Sequence, residues 1–170
     1  LNALRDFLPP GVTARTGVDV AAVPPDPEVF LTQQGQVCPP NRFFSVAKWG
    51  DDRPFNVQMG EARKNLSGEL DRMEEADVLD QARLFVYFGF GREAVLALAV
   101  DGKSSQERGY LAGIAKIIDD DAVPDTLFAQ QMSCVADVAL WAFLAAGADG
   151  FDGKADPAAI LRSFKALPSW

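Results

Sequence analysis

A chain of 170 residues, 48% apolar and 24% charged, is long enough to bury a real core and too apolar to stay disordered. Its formal net charge of −8, with the excess acid between positions 51 and 149, leaves no Lys/Arg face for phosphate contacts and argues against nucleic acid as a partner. Gly89, Gly91, Arg92 and Glu93 break the longest apolar run well short of the ~20 residues of a membrane span, so no membrane insertion is expected.

The chain opens on Leu1 with no initiator Met and no targeting segment, which suits a processed form or an excised piece. Residues 1–50 hold most of the prolines, and proline cannot donate to a helix or a sheet ladder. The expectation here is an extended N-terminal arm, with a short helix over residues 2–8 and short edge strands around Val12 and residues 18–20. "CPPNRFFSVAKWG" reads equally as one or two helical turns stopped by Gly50 or as an alternating strand.

Residues 51–170 read as a helical, repeat-like domain. "DDRPFNVQMGEARKNL" has an Asp cap, Pro54 near the first turn and Phe55, Met59, Ala62 and Leu66 on one stripe. "DVLDQARLFVYF" follows an Asp77 cap and stops at Gly89, a left-handed residue after the helix end; "REAVLALAV" is a second helix ended by Gly102. "SSQERGYLAGIAKII" opens with a capping box, Ser104 to Glu107, and lines up Tyr110, Leu111, Ile114 and Ile118. "DTLFAQQMSCVADVALWAFLAAG" carries one long helix or two, with Gly147 as terminator. "DPAAILRSFKAL" starts with Asp156 as cap and Pro157 at N1, and its spacing predicts burial of Ile160, Leu161 and Phe164.

The decisive stretch is "ARLFVYFGFGREAVLALA". Two helices of roughly ten residues joined by three must pack antiparallel. The first is apolar nearly all round, through Leu84, Phe85, Val86, Tyr87 and Phe88, so it needs neighbours on more than one side. A lone hairpin cannot supply them, whereas stacked hairpins can. The fold expectation is mainly α: antiparallel helical hairpins stacked as a short α-solenoid, behind the proline-rich arm.

Two lone cysteines and no histidine complete the inventory. Cys38 and Cys134 suit one long-range disulfide in an oxidising compartment, worth roughly 4 kcal/mol on the chain-entropy account, or two buried thiols acting as small hydrophobes.

Ala82, Phe85, Gly89, Ala94 and Leu98 resemble a tetratricopeptide-type repeat in order and spacing. Such a motif places small residues where the paired helices approach and an aromatic in the groove between them. Gln81 and Asp101 depart from it, no proline closes the unit, and later hairpins do not repeat it. "VCPPNRFFSVAKW", "RPFNVQMGEARKNLSGELDR", "ARLFVYFGFGREA" and "CVADVALWAFLA" further resemble segments of large alpha-proteobacterial envelope proteins without an assigned activity. That likeness implies a periplasmic or otherwise extracytoplasmic location, a piece of a larger protein, and a Cys38–Cys134 bridge.

The remaining constellations are weak. "ADGFDGKAD" gathers Asp149, Asp152 and Asp156 around glycines, but the EF-hand order is absent and a loop ending in the Asp156 cap explains it as well. The acids of residues 119–125 read as a solvated helix end rather than a metal site. Without histidine, Ser-His-Asp and Cys-His catalysis and His-ligated metals are impossible. Glu61, Glu69, Glu74 and Glu75 lie close in sequence, but none has the apolar setting that raises a general acid's pKa. "FGFG" lacks the nucleotide-loop pattern. The expectation is therefore a non-catalytic interaction or scaffold module with a protein or peptide partner, without metal or cofactor. A structural spacer and a carboxylate-based hydrolase are the alternatives. Trp170, after "ALPS", would cap the last hairpin or lie against further sequence, and an uncapped apolar face there would promote self-association.

Overall fold

The structure, a computed structural model, describes residues 29–32, 34–66, 74–124, 126–147 and 155–169. It is mainly α-helical, as the apolar periodicity predicts. Two 3-10 turns, Asn41–Phe43 and Val46–Lys48, precede the helices α1 Phe55–Leu66, α2 Glu75–Tyr87, α3 Gly91–Ala99, α4 Gln106–Ile118, α5 Val138–Ala146 and α6 Pro157–Ala166. Each helix packs on the next in the chain, and α2 also reaches α4 and the second 3-10 turn.

The turn between α2 and α3 shows why the chain folds back there. Gly89 has φ 77°, its N–H donates to Val86 O at 3.0 Å, and the N–H of Phe90 donates to Phe85 O at 2.8 Å. These paired bonds satisfy the last carbonyls of α2, and only glycine enters that left-handed position without a Cβ penalty of about 1–2 kcal/mol. Ala82, Phe85, Ala94 and Leu98 then meet inside the core. The α2 surface is covered from several sides, including by the Phe55 ring, 6.0 Å from Phe85 and 5.2 Å from Phe88.

Close helix approach is carried further at Gly91, where a Cβ would lie 2.1 Å from the Ala115 carbonyl oxygen of α4. Behind it, Phe43, Phe44, Val46, Tyr110, Phe128 and Trp141 close one continuous core. The Phe44 ring meets Tyr110 edge-on at 5.0 Å. Part of the proline-rich segment is thus an internal component of the helical body, because its 3-10 turns aim large apolar side chains inward.

The helix expected at residues 2–8 and the strand pieces at Val12 and residues 18–20 lie outside the described residues. Among those described, the arm's β-structure is one isolated antiparallel bridge, Leu31 with Val37, turned at Gly35. "CPPNRFFSVAKWG" takes the helical-turn alternative, as two 3-10 turns.

Four local expectations need correction. Helix α2 begins at Glu75, with Glu74 before it, so Asp77 sits in the first turn, where its charge still favours the helix dipole. The cap of α4 is Ser105, whose hydroxyl accepts the Arg108 N–H, so the Ser104–Glu107 capping box does not form. Before Val138, residues 126–137 form turns and bends, with Gln130 at φ 64°; of the one long helix or two expected over this stretch, only Val138–Ala146 is helical, and Cys134 in the turns before it is drawn into a disulfide. In α6 the cap is as expected, with Asp156 Oδ1 accepting from Ala158 N and Ala159 N at 3.0 Å each. Its buried face is not. Ala159 and Ser163 point inward, while Leu161 and Phe164 are 52% and 60% exposed. Small residues win the contact because Ser163 Oγ donates to Asp137 Oδ1 at 2.7 Å, a bond that a larger inward side chain would prevent.

This packing sets two expectations for chemical denaturation. Phe164→Ala changes stability by about 0.5 kcal/mol or less, whereas Phe44→Ala costs about 3–5 kcal/mol. Gly91→Ala destabilises by about 1–3 kcal/mol, because its methyl group overlaps a backbone oxygen that a side-chain rotation cannot move.

Candidate functional site

Among the described residues, a groove of about 810 Å³ lies between the 3-10 turns on one side and α1 and α2 on the other. Its wall begins at Asn41, Arg42, Ser45, Lys48 and Trp49; α1 contributes Gln58, Glu61 and Ala62, and α2 contributes Asp80, Arg83 and Leu84. A smaller hollow of about 410 Å³ between the ends of α4 and α5 is lined mainly by apolar side chains. Binding sites combine apolar surface with a few converging polar groups, which the larger groove has.

The loop joining the groove's two sides is firmly seated. Gly50 passes beneath the Tyr87 ring, where a Cβ would come within 2.4 Å of a ring carbon. The Tyr87 hydroxyl donates to Asp51 O at 3.3 Å. Gln58, only 4% exposed, donates through Nε2 to Asp51 O at 2.9 Å and Arg53 O at 2.6 Å, and its Oε1 accepts the Asp51 N–H at 3.0 Å. A buried amide satisfied by three backbone groups holds this loop more tightly than a solvated loop would be held.

Charge on the groove is arranged in pairs. The Arg53 guanidinium meets both Asp51 oxygens and both Glu61 oxygens at 2.9–3.0 Å. Hydrogen bonds from the Arg53 side chain first, and from its backbone amide second, hold the Asp51 carboxyl below its usual value. The same bonds, from Asp51 and then Glu61, push Arg53 further up. Arg83 pairs with Asp80 and with Glu107.

Two polar clusters outside the groove serve the framework. Arg108, 4% exposed, donates through Nη1 to Leu98 O and Asp101 Oδ1 at 2.8 Å each, and through Nη2 to Asp101 Oδ2 at 2.7 Å. Its Nε also reaches Glu75 Oε1 at 3.4 Å. One guanidinium thus satisfies a carbonyl at the end of α3 and ties α2, α3 and α4 together. Burial opposes the charge on Asp101, but its bonds from Arg108 and from the Lys103 amide, together with both cations, outweigh it and keep the carboxyl below its ordinary value. The second cluster is Asp137, whose carboxylate accepts from Asn41 Nδ2 at 3.0 Å, Ser45 Oγ at 2.9 Å and Ser163 Oγ at 2.7 Å.

Of the residues singled out in the sequence, Cys38 and Cys134 form a disulfide with Cα atoms 6.1 Å apart. Ala82, Phe85, Ala94 and Leu98 come together in the core, with Gly89 at the adjoining turn. Glu61 and Glu75 do not converge: one salt-bridges Arg53 and the other Arg108. Glu69, Asp149, Asp152 and Trp170 lie outside the described residues, and Asp156 is a helix cap. No cluster of three or more potential metal ligands occurs among the described residues.

Sequence reasoning overlooked Arg42, Lys48, Gln58 and Arg83 of the groove, and both Arg108 and Asp137. Two of these carried a signal. Arg108 stands three residues before Leu111 on an apolar stripe, and Asp137 interrupts an apolar run, where a charge must find a buried partner. Compared with protein-family models, curated proteins and solved structures, the chain matches none.

Two measurements follow from these bonds. Reducing Cys38–Cys134, which closes a loop of 96 residues in sequence separation, lowers stability by about 4–5 kcal/mol in equilibrium denaturation. Asp101 has a lower pKa folded than its unfolded value of about 3.9. Its contribution is therefore present above that pH and is lost as pH falls through the folded value. Asp101→Asn makes the thermal midpoint lower at neutral pH and less sensitive to acidification below about pH 4 than in the parent protein.

Proposed function

We propose that this chain is a protein–protein interaction module of a larger extracytoplasmic protein, built on a tetratricopeptide-like hairpin, and that the groove between the 3-10 turns and the α1–α2 pair receives a partner peptide. The groove carries the proposal: a firmly seated concavity lined by an aromatic side chain, aliphatic carbon and hydrogen-bonding groups, of a size that accommodates several side chains. Preorganisation favours such a role, since a wall held by Gln58, Gly50 and Tyr87 has little entropy left to lose on binding. The disulfide supports an oxidising compartment, because such bonds persist outside the reducing cytosol. No helix among the described residues is long and apolar enough to cross a membrane.

Binding is favoured over a ligand-free spacer by the same groove, for a spacer has no need of one. It is favoured over carboxylate hydrolysis by the pairing of the acids. Asp101 and Glu107, with side chains 10% and 20% exposed, each face an arginine instead of an apolar pocket.

The test is site-specific photocrosslinking in envelope extract with the intact parent protein. A crosslinker at Ala62, in the groove lining, is expected to capture a partner that the same group at Leu161, exposed on α6, does not, and Trp49→Ala is expected to weaken that capture. Equal capture at both positions, or none at Ala62, refutes the groove as the recognition site.

A further inference from the structure

We propose that the groove selects a peptide segment bearing carboxylate side chains, with Arg42 and Lys48 as the anion seats and Trp49 as the apolar platform. This deepens the reading of the groove as a peptide site and rests on it.

The argument is a charge account. Four cations line the groove, Arg42, Lys48, Arg53 and Arg83, against three carboxylates, Asp51, Glu61 and Asp80. All three carboxylates are engaged: Asp51 and Glu61 share the Arg53 guanidinium, and Asp80 is held by Arg83. Arg83 is further neutralised by Glu107, which lies outside the lining. Arg42 and Lys48 are exposed and have no carboxylate partner among the described residues. The Arg42 guanidinium rests 4.8 Å from the Phe43 ring centroid, a contact that orients the cation without cancelling its charge.

Two unmatched cations on one wall stand out in a chain of net charge −8. The surrounding negative field disfavours a dense polyanion such as nucleic acid, which would need many cations for its phosphates. A peptide with a few carboxylates needs only local compensation, and Trp49, Ala62 and Leu84 offer apolar contact to the residues between them. Salt sensitivity is the expected signature, since the anion seats are solvent-exposed.

The experiment uses the full chain with its disulfide intact and a short fluorescein-labelled peptide alternating Glu with Leu, followed by polarisation. Matched peptides carry Gln or Lys in place of Glu. The acidic peptide is expected to bind best, more weakly as salt rises, and about tenfold more weakly to the Arg42→Ala/Lys48→Ala variant. Both positions are exposed, so the variant's thermal midpoint should match the parent's. Equal binding of the Gln peptide, abolished by Trp49→Ala, overturns the anion preference while leaving the groove a peptide site. Acidic-peptide binding that survives the double variant overturns the assignment of the seats. Failure of all three peptides overturns the proposal, and the Ala62 crosslink then reports separately whether the groove binds anything.

Discussion

The Cys38–Cys134 bond joins the proline-rich segment to the turn leading into α5, across a sequence separation of 96 residues. Around it lie the contacts that this linkage makes affordable in entropy: Phe44 against Tyr110, and Asn41 and Ser45 on the Asp137 carboxylate. Such a bond stabilises chiefly by restricting the unfolded chain, and it does most when the loop it closes is long. The backbone bonds of this segment are short-range turns, so the disulfide and these buried contacts together hold it against the helical surface. The groove exists only because that segment stays in place, so its wall and the disulfide are one structural fact.

Within the helical body, the constraint passes from covalent to steric and electrostatic. Gly91 lets the start of α3 reach the backbone of α4, and Arg108 clamps the other end of α3 through Leu98 O and Asp101. One contact tolerates no side chain, and the other requires a charged one. A buried guanidinium is costly to desolvate, and it persists here because its donors find two carboxylates and an otherwise unpaired helix-end carbonyl. The outcome is a set of helices whose relative positions are specified at both ends of α3. On that rigid support, the charges lining the groove keep a fixed pattern, and the surplus on Arg42 and Lys48 becomes a directional feature of the surface.

Much of the fold was legible in the residues. The Gly89 turn, the reversal of the chain between α2 and α3, the need of α2 for neighbours on several sides, and the Asp156–Pro157 start of α6 are local or nearly local consequences of composition. They could be read because a left-handed turn, a cap and an all-round apolar helix are each recognisable within about ten residues. The orientation of α6 was not legible. Its periodicity points to burial of Leu161 and Phe164, yet the bond from Ser163 to Asp137 turns the small residues inward. The interruption before α5 was hidden for a similar reason, since a helical pattern there competes with a disulfide to a residue far away in the chain.

By itself, then, the sequence determined a mainly helical chain, the hairpin at its centre, the chemistry it lacks for want of histidine, and a pair of cysteines able to bridge. Tertiary structure alone decided which face α6 presents, which acids are consumed by arginines, and that Arg42, Lys48 and Trp49 share a groove with α1 and α2. Propensity, capping and turn formation act over a few residues and leave their mark in the order of the letters. Charge pairing and cavity shape depend on distances between residues far apart in the chain, which exist only after folding.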